Sequence, residues 1–134
     1  MPITYALEPD LTAEEFAGVL IASTLGERRP VDDLDRLDRM LRAAQVVVTA
    51  RLGNKLVGVS RAITDFSYCS YLSDLAVDAA YQHQGIGKRL IDETNIAIGP
   101  EAMLILLAAP AAETYYPKIG MEQMPSCWVI RRER

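Results

Sequence analysis

Little in this chain could hold a metal ion or staple a fold. It has one histidine and two cysteines in 134 residues, and Cys69 and Cys127 lack the close spacing of zinc ligands. Both stand near apolar stretches, which favours reduced, buried thiols over a disulfide and points to a cytoplasmic protein. No metal is expected. No apolar run is long enough to span a bilayer; the longest, Ala102 to Ala109, has the length of a buried strand. The opening MPITYALEPD has neither the basic nor the apolar region of a signal peptide. A basic surface is also missing. With 14 Lys+Arg against 18 Asp+Glu the net charge is −4, which argues against nucleic acid as a main partner.

What remains is the composition of an ordinary soluble domain, half apolar and about a quarter charged. Residues 1–134 are read as one domain, long enough to bury a core unaided. Ile3 to Glu8 alternates as a first strand. Thr12-Ala13-Glu14-Glu15 is a capping box, with Leu11 and Phe16 at the staple positions, and it opens a helix that Gly26 should end. Residues 27–45 look like a charge cluster. However, Asp32–Arg36, Asp35–Arg39 and Asp38–Arg42 are i,i+4 pairs, acid first, so the spacing predicts a solvated second helix starting at Pro30, with Leu34, Leu37 and Leu41 inward. Val46 to Leu52 and Lys55 to Thr64 form a hairpin around Gly53-Asn54. Tyr71 to Val77 is a third long strand.

A helical pattern from Ile86 to Ile98, stopped at Gly99-Pro100, turns Ile86, Leu90, Ile91 and Thr94 inward. Met103 to Leu107 reads as a fully buried parallel strand. Glu122 to Arg132 should supply a closing strand pair around Pro125-Ser126. The sum is an α+β sandwich, with a mixed, mostly antiparallel sheet flanked by helices.

The most informative stretch joins the third long strand to the helix: Gln82-His83-Gln84-Gly85-Ile86-Gly87-Lys88-Arg89. Its glycines let the backbone turn sharply and approach a ligand. The free N–H groups of the new helix then converge at the positive end of its dipole, a site suited to a phosphate or pyrophosphate. A Walker loop would need Ser or Thr where Arg89 stands, and a dinucleotide fingerprint a third glycine where Leu90 stands. Gln-x-x-Gly-x-Gly after Asp74-Leu75-Ala76-Val77-Asp78 instead resembles the acetyl-CoA signature of the GNAT superfamily of N-acetyltransferases. Ala112-Glu113-Thr114-Tyr115-Tyr116-Pro117-Lys118-Ile119-Gly120-Met121 is similar to a second family segment. The motifs cover residues 46–121, and the remainder matches by element order.

The resemblance implies a GNAT fold and direct transfer: an amine attacks the thioester of acetyl-CoA in a ternary complex, without a covalent acetyl-enzyme. It implies that the pantetheine arm inserts between splayed strands, Tyr71–Val77 and Met103–Leu107. Backbone groups of Leu75, Ala76 and Val77 would line it, and an N–H near Leu75 would polarise the acetyl carbonyl. Gln82, His83, Gln84, Gly85, Ile86, Gly87, Lys88 and Arg89 are the expected cofactor loop. Tyr116 falls on the family's general acid, whereas Tyr115 is read as packing. Asp74 is the carboxylate best placed to help the amine lose its proton. Ala79 and Ala109 replace a proline and an asparagine common in the family. Ser23 to Arg29 borders the acceptor side.

The negative charge favours a small cationic amine as acceptor. Alternatives are a non-catalytic CoA-binding or regulatory module on the same fold, and an acetyltransferase acting on protein or aminoacyl-tRNA. The apolar, β-prone segment Cys127 to Ile130 is expected to pair with a second copy in a homodimer.

Overall fold

The computed structural model describes residues 2–134. Five strands, β1 (Ile3–Leu7), β2 (Val46–Leu52), β3 (Lys55–Thr64), β4 (Cys69–Val77) and β5 (Met103–Leu106), lie side by side in chain order. The first three pairings are antiparallel and β4–β5 is parallel. Helices α1 (Ala13–Ala22) and α2 (Leu34–Ala43) cover one face. The other face is covered by α3 (Ile86–Ile98), and a short α4 (Tyr115–Lys118) packs at its margin. This is the mixed sandwich that the sequence implies.

Two cores explain the strand compositions. Phe16, Leu20, Leu37 and Leu41 pack with Val47 and Val59 on one face. Ile86, Leu90 and Ile98 pack with Val46, Val48, Val57 and Leu72 on the other. Strand β2 is thus buried on both sides, which is why it reads as a continuous apolar run rather than an alternating one. Helix α3 has the predicted bounds, and its inward residues Ile86, Leu90, Ile91 and Thr94 are buried. The Thr94 hydroxyl satisfies itself on Ser60 and on the Leu90 carbonyl, both at 2.7 Å.

Half of the expected capping box forms. Thr12 accepts from the Glu15 N–H at 3.2 Å, but the Glu15 carboxylate goes to Arg51 at 2.8 Å. Arg51 also holds Glu8 at 2.8 Å, so one guanidinium ties α1 to the start of the sheet. Gly53 takes φ +61 in the two-residue β2–β3 turn, a left-handed position that suits glycine placed first.

Several expectations are corrected. Helix α2 starts at Leu34 rather than near Pro30, because Asp33 caps it by accepting from the Arg36 N–H at 3.0 Å. Residues 25–28 form a separate 3-10 turn. Of the three foreseen charge pairs, Asp38–Arg42 forms at 3.5 Å, whereas Asp32 lies outside the helix. Leu34 is exposed. Both thiols are free, as expected, but exposed rather than buried. Strand β5 is an edge strand, with Met103 and Ile105 exposed, since no strand follows it in the sheet.

The closing strand pair does not form. Residues 121–134 contain no helix or strand, and Trp128 and Ile130 are 91% and 100% exposed. Alternation alone cannot make a strand without a neighbour to complete its hydrogen bonds. Here Cys127, Trp128 and Val129 instead border an open apolar groove of about 590 Å³ with Ile63, Ile105 and Leu107.

The β3–β4 turn is built on one carboxylate. Asp65 accepts from the N–H groups of Ser67, Tyr68 and Cys69 at 2.9, 2.8 and 3.1 Å, which holds its pKa down at about 2. An unfolded aspartate titrates near ~3.9, so the turn is stabilised above that value and loses the contribution as pH falls through about 2. Asp65→Asn should therefore be less stable than the native chain in urea at pH 7. The difference should close near pH 2; an unchanged gap would contradict the assignment.

Candidate active site

Parallel pairing of β4 with β5 runs from Cys69↔Met103 to Leu72↔Leu106 and then stops. Strand β4 continues to Val77 still paired to β3 on its other side. Past Leu72, therefore, β4 has no ladder partner on its β5 side. A strand segment of this kind can hydrogen-bond to an extended ligand in place of a neighbour.

The opening coincides with a bulge. Arg61 opposes Asp74 and Ala62 opposes Leu72, leaving Ser73 as the extra residue. In a regular strand Leu72 and Ala76 would share one face. Here Leu72 packs in the α3 core and Ala76 in the α1–α2 core, as an inserted residue requires.

Asp74 sits beside the bulge, fully buried. Its two oxygens accept from the Nε–H groups of Arg29 and Arg61, one each. Arg61 is itself buried and also reaches the Met40 carbonyl on α2 at 3.4 Å. Arg29, in the α1–α2 connection, adds a bond from Nη2 to the Ser73 carbonyl at 2.7 Å. A carboxylate sealed from solvent, with both oxygens engaged by guanidinium donors, offers nothing to an incoming amine. The base role expected of Asp74 is not carried by this geometry; the carboxylate is an anchor. Sequence reading missed Arg29 and Arg61 as its partners. The available signal was Arg61 itself, a charge in the middle of a mostly apolar strand, since arginine is rarely buried unless paired.

From Val77 the chain enters the expected loop. The Asp78 carboxylate accepts from the Ala80 N–H at 2.9 Å, and the Gln82 side-chain amide donates to the Val77 carbonyl at 3.2 Å. Gln82 thereby ties the loop to the end of β4. His83 takes φ +65 and Gly85 φ +80, both left-handed, and Gly85 is the N-cap of α3. The first N–H groups of α3, from Ile86 on, have no carbonyl partner within the 13-residue helix. Lys88 and Arg89 lie in its first turn, paired along the surface with Asp92 at 2.7 Å and Glu93 at 3.0 Å. Arg89 also stacks over the Tyr5 ring at 4.6 Å. Cations in a first turn oppose the helix dipole, and cation-before-acid is the weaker pair order.

Helix α4 closes over this turn. A Cβ on Gly87 would stand 2.8 Å from the Tyr115 hydroxyl oxygen, so Gly87 is needed for that approach. Burial pushes the Tyr115 phenol up, while the Lys88 ammonium and then its N–H pull it down, for a net rise. Tyr115, expected only to pack, thus lies with its hydroxyl against the glycine turn of α3. Tyr116 meets it edge-to-face, with centroids 5.3 Å apart, and packs at the margin of the α3 core. Burial, then the neighbouring Tyr115, raises its pKa above the ordinary 10.0. Among the described residues no cluster of His, Cys, Asp and Glu could hold a metal ion, and no helix is long and apolar enough to cross a membrane.

Known proteins resemble the chain at three levels. GCN5-related N-acetyltransferase 2, chloroplastic, from Arabidopsis thaliana is 32% identical over 73 residues, 53% of this chain but only 28% of that protein. A GNAT family acetyltransferase from Streptococcus pneumoniae superimposes with TM-score 0.77 at 24% identity, over 98% of this chain and all of the other. An aminoglycoside acetyltransferase from an uncultured soil metagenomic sample, solved with sisomicin, gives TM-score 0.68 at 25% identity, over 98% and 96%. The family model of the acetyltransferase (GNAT) domain matches residues 10–127. With that match over most of its length, an opened β4 and a glycine turn at the start of α3, the chain belongs to the GNAT acetyltransferase family.

Proposed function

We propose that the chain is an acetyl-CoA-dependent N-acetyltransferase that moves an acetyl group to a small primary amine by direct attack. The observation that carries this reading is β4, unpaired past Leu72 and leading straight into the glycine turn of α3. In this reading the pantetheine lies along Leu75, Ala76 and Val77 as a substitute strand, and the pyrophosphate rests on the amides of Gln84 to Lys88. An anion there would also offset Lys88 and Arg89, which the helix dipole otherwise disfavours. His83 and Gln82 shape the loop. The free thiols fit a reducing, cytoplasmic setting. The aminoglycoside enzyme among the structural neighbours supports an amine acceptor, as does the net charge of −4.

The chemistry needs few groups. The neutral amine's lone pair adds to the thioester carbonyl carbon, and the oxyanion is held by an N–H near Leu75. Collapse breaks the C–S bond, and the Tyr116 hydroxyl gives its proton to the departing thiolate. Burial keeps this phenol protonated through neutral pH. The amine sheds its own proton to water.

Gly85→Val tests the cofactor site. Nothing lies within 4 Å of a Cβ there, so the main cost to folding is the left-handed backbone, at least about 1–2 kcal/mol for a β-branched residue. Affinity for CoA by calorimetry should fall well beyond what that strain explains; unchanged affinity would remove the pyrophosphate from this turn. Tyr116→Phe tests the acid. Turnover should drop about a hundredfold to ten-thousandfold with acetyl-CoA affinity little changed. The native rate should decline as pH rises through the phenol's raised pKa, and the variant should lack that decline. Full turnover in Tyr116→Phe where chemistry limits the rate would reject the role.

The same reading extends to assembly as a homodimer. Exposed Met103, Ile105, Trp128 and Ile130 leave the β5 edge and the C-terminal segment uncovered, the condition under which a second copy pairs. Sedimentation should show a dimer at micromolar concentration, and a monomer at high micromolar concentration would end this proposal.

A further inference from the structure

Arg29 ends the Ser23–Arg29 segment expected at the acceptor side, and through Asp74 and Ser73 it touches the point where the sheet opens. The bulge at Ser73 removes one residue of β4 from the ladder with β3, and a half-buried carbonyl left in that way gains from another donor. Arg29 Nη2 supplies it at 2.7 Å, while its Nε–H engages Asp74 on the next residue. The planar guanidinium serves both because its donors sit in a fixed fork. From the opposite side Arg61, on β3, takes the second Asp74 oxygen.

The Ser73 carbonyl and the Asp74 carboxylate are thus held immediately before Leu75, the latter by two guanidinium groups. Arg29 itself is anchored in the α1–α2 connection, where its Nη1 bonds the Arg28 carbonyl at 2.9 Å. Its side chain remains 21% exposed, whereas that of Asp74 is sealed. The clamp therefore reaches from the surface connection to the strand that the cofactor would line.

We propose that Arg29 is a positioning residue for acyl transfer. By holding the Ser73 carbonyl and Asp74, it fixes the direction of the following N–H that polarises the thioester carbonyl. This rests on the acetyl-CoA reading above. A preorganised donor is worth most when it costs no reorganisation at the moment of reaction, and removing one outright lowers turnover by about a hundredfold to a thousandfold in acyl-transfer enzymes. A donor kept but misaimed should cost less, about tenfold to a hundredfold in kcat, with KM for acetyl-CoA little changed.

The test is infrared spectroscopy of bound acetyl-CoA carrying ¹³C at the acetyl carbonyl, in the native chain and in Arg29→Lys and Arg29→Met. Hydrogen bonding to a carbonyl lowers its stretching frequency. In the native chain the band should shift down on binding. The shift should shrink in Arg29→Lys, which keeps the charge without the fork, and vanish in Arg29→Met, while affinity for CoA stays within about threefold. If Arg29→Met does not fold, the Arg29→Lys result decides. A native chain that binds no acetyl-CoA would overturn the acetyltransferase reading and this proposal with it. A native shift that survives in full in the variants would overturn the role of Arg29 alone.

Discussion

The structure turns on one buried carboxylate. Asp74 lies between Arg29 and Arg61 in the middle of the domain, and these contacts hold a bulge that a regular sheet would remove. Burying a charge is tolerable only when its partners come with it, and losing one partner of such a set is strongly unfavourable. The pairing therefore fixes β4 in a single arrangement. On one side of the bulge β4 is an ordinary parallel partner of β5; on the other it is a strand with a vacant side. The vacant strand side of the candidate site follows from that change of neighbour.

The second half of the site depends on backbone conformation rather than charge. His83 and Gly85 adopt left-handed conformations, and the Gln82 amide and Asp78 carboxylate secure the loop to its own ends. The result is a short, fixed path from the vacant side of β4 to the N-terminus of α3. An extended ligand with an anionic far end suits that path: amides along the strand, then phosphate at the turn. Tyr115 completes the wall, since its hydroxyl lies over Gly87 in space that a Cβ would fill.

Much of this was legible in the sequence where local rules and tertiary packing agree. Helix α3 shows its glycine turn, its inward stripe and its Gly99 stop, and forms between the expected bounds. The β2–β3 hairpin and the Thr12 cap follow from turn and capping chemistry of a few residues. Legibility failed where the deciding contact is distant. Arg29 and Asp74 are 45 positions apart, so no window reveals that they meet, and Asp74 looked available when it is fully engaged. Trp128 and Ile130 have the alternation of a strand, but strand formation needs a partner edge, which the segment itself does not encode. Helix α2 began late because the Asp33 side chain outcompeted Pro30 as a start signal.

One ligand spanning the vacant side of β4 and the turn of α3 would touch two separated segments of the backbone. Amide hydrogen exchange with and without acetyl-CoA tests it most directly, because it reports both places in one experiment and needs no knowledge of the acceptor. Acetyl-CoA should slow exchange in both segments, 73–77 and 84–88, with little change in β1 and β2. Binding without added protection in either segment, or protection confined to other elements, would contradict it.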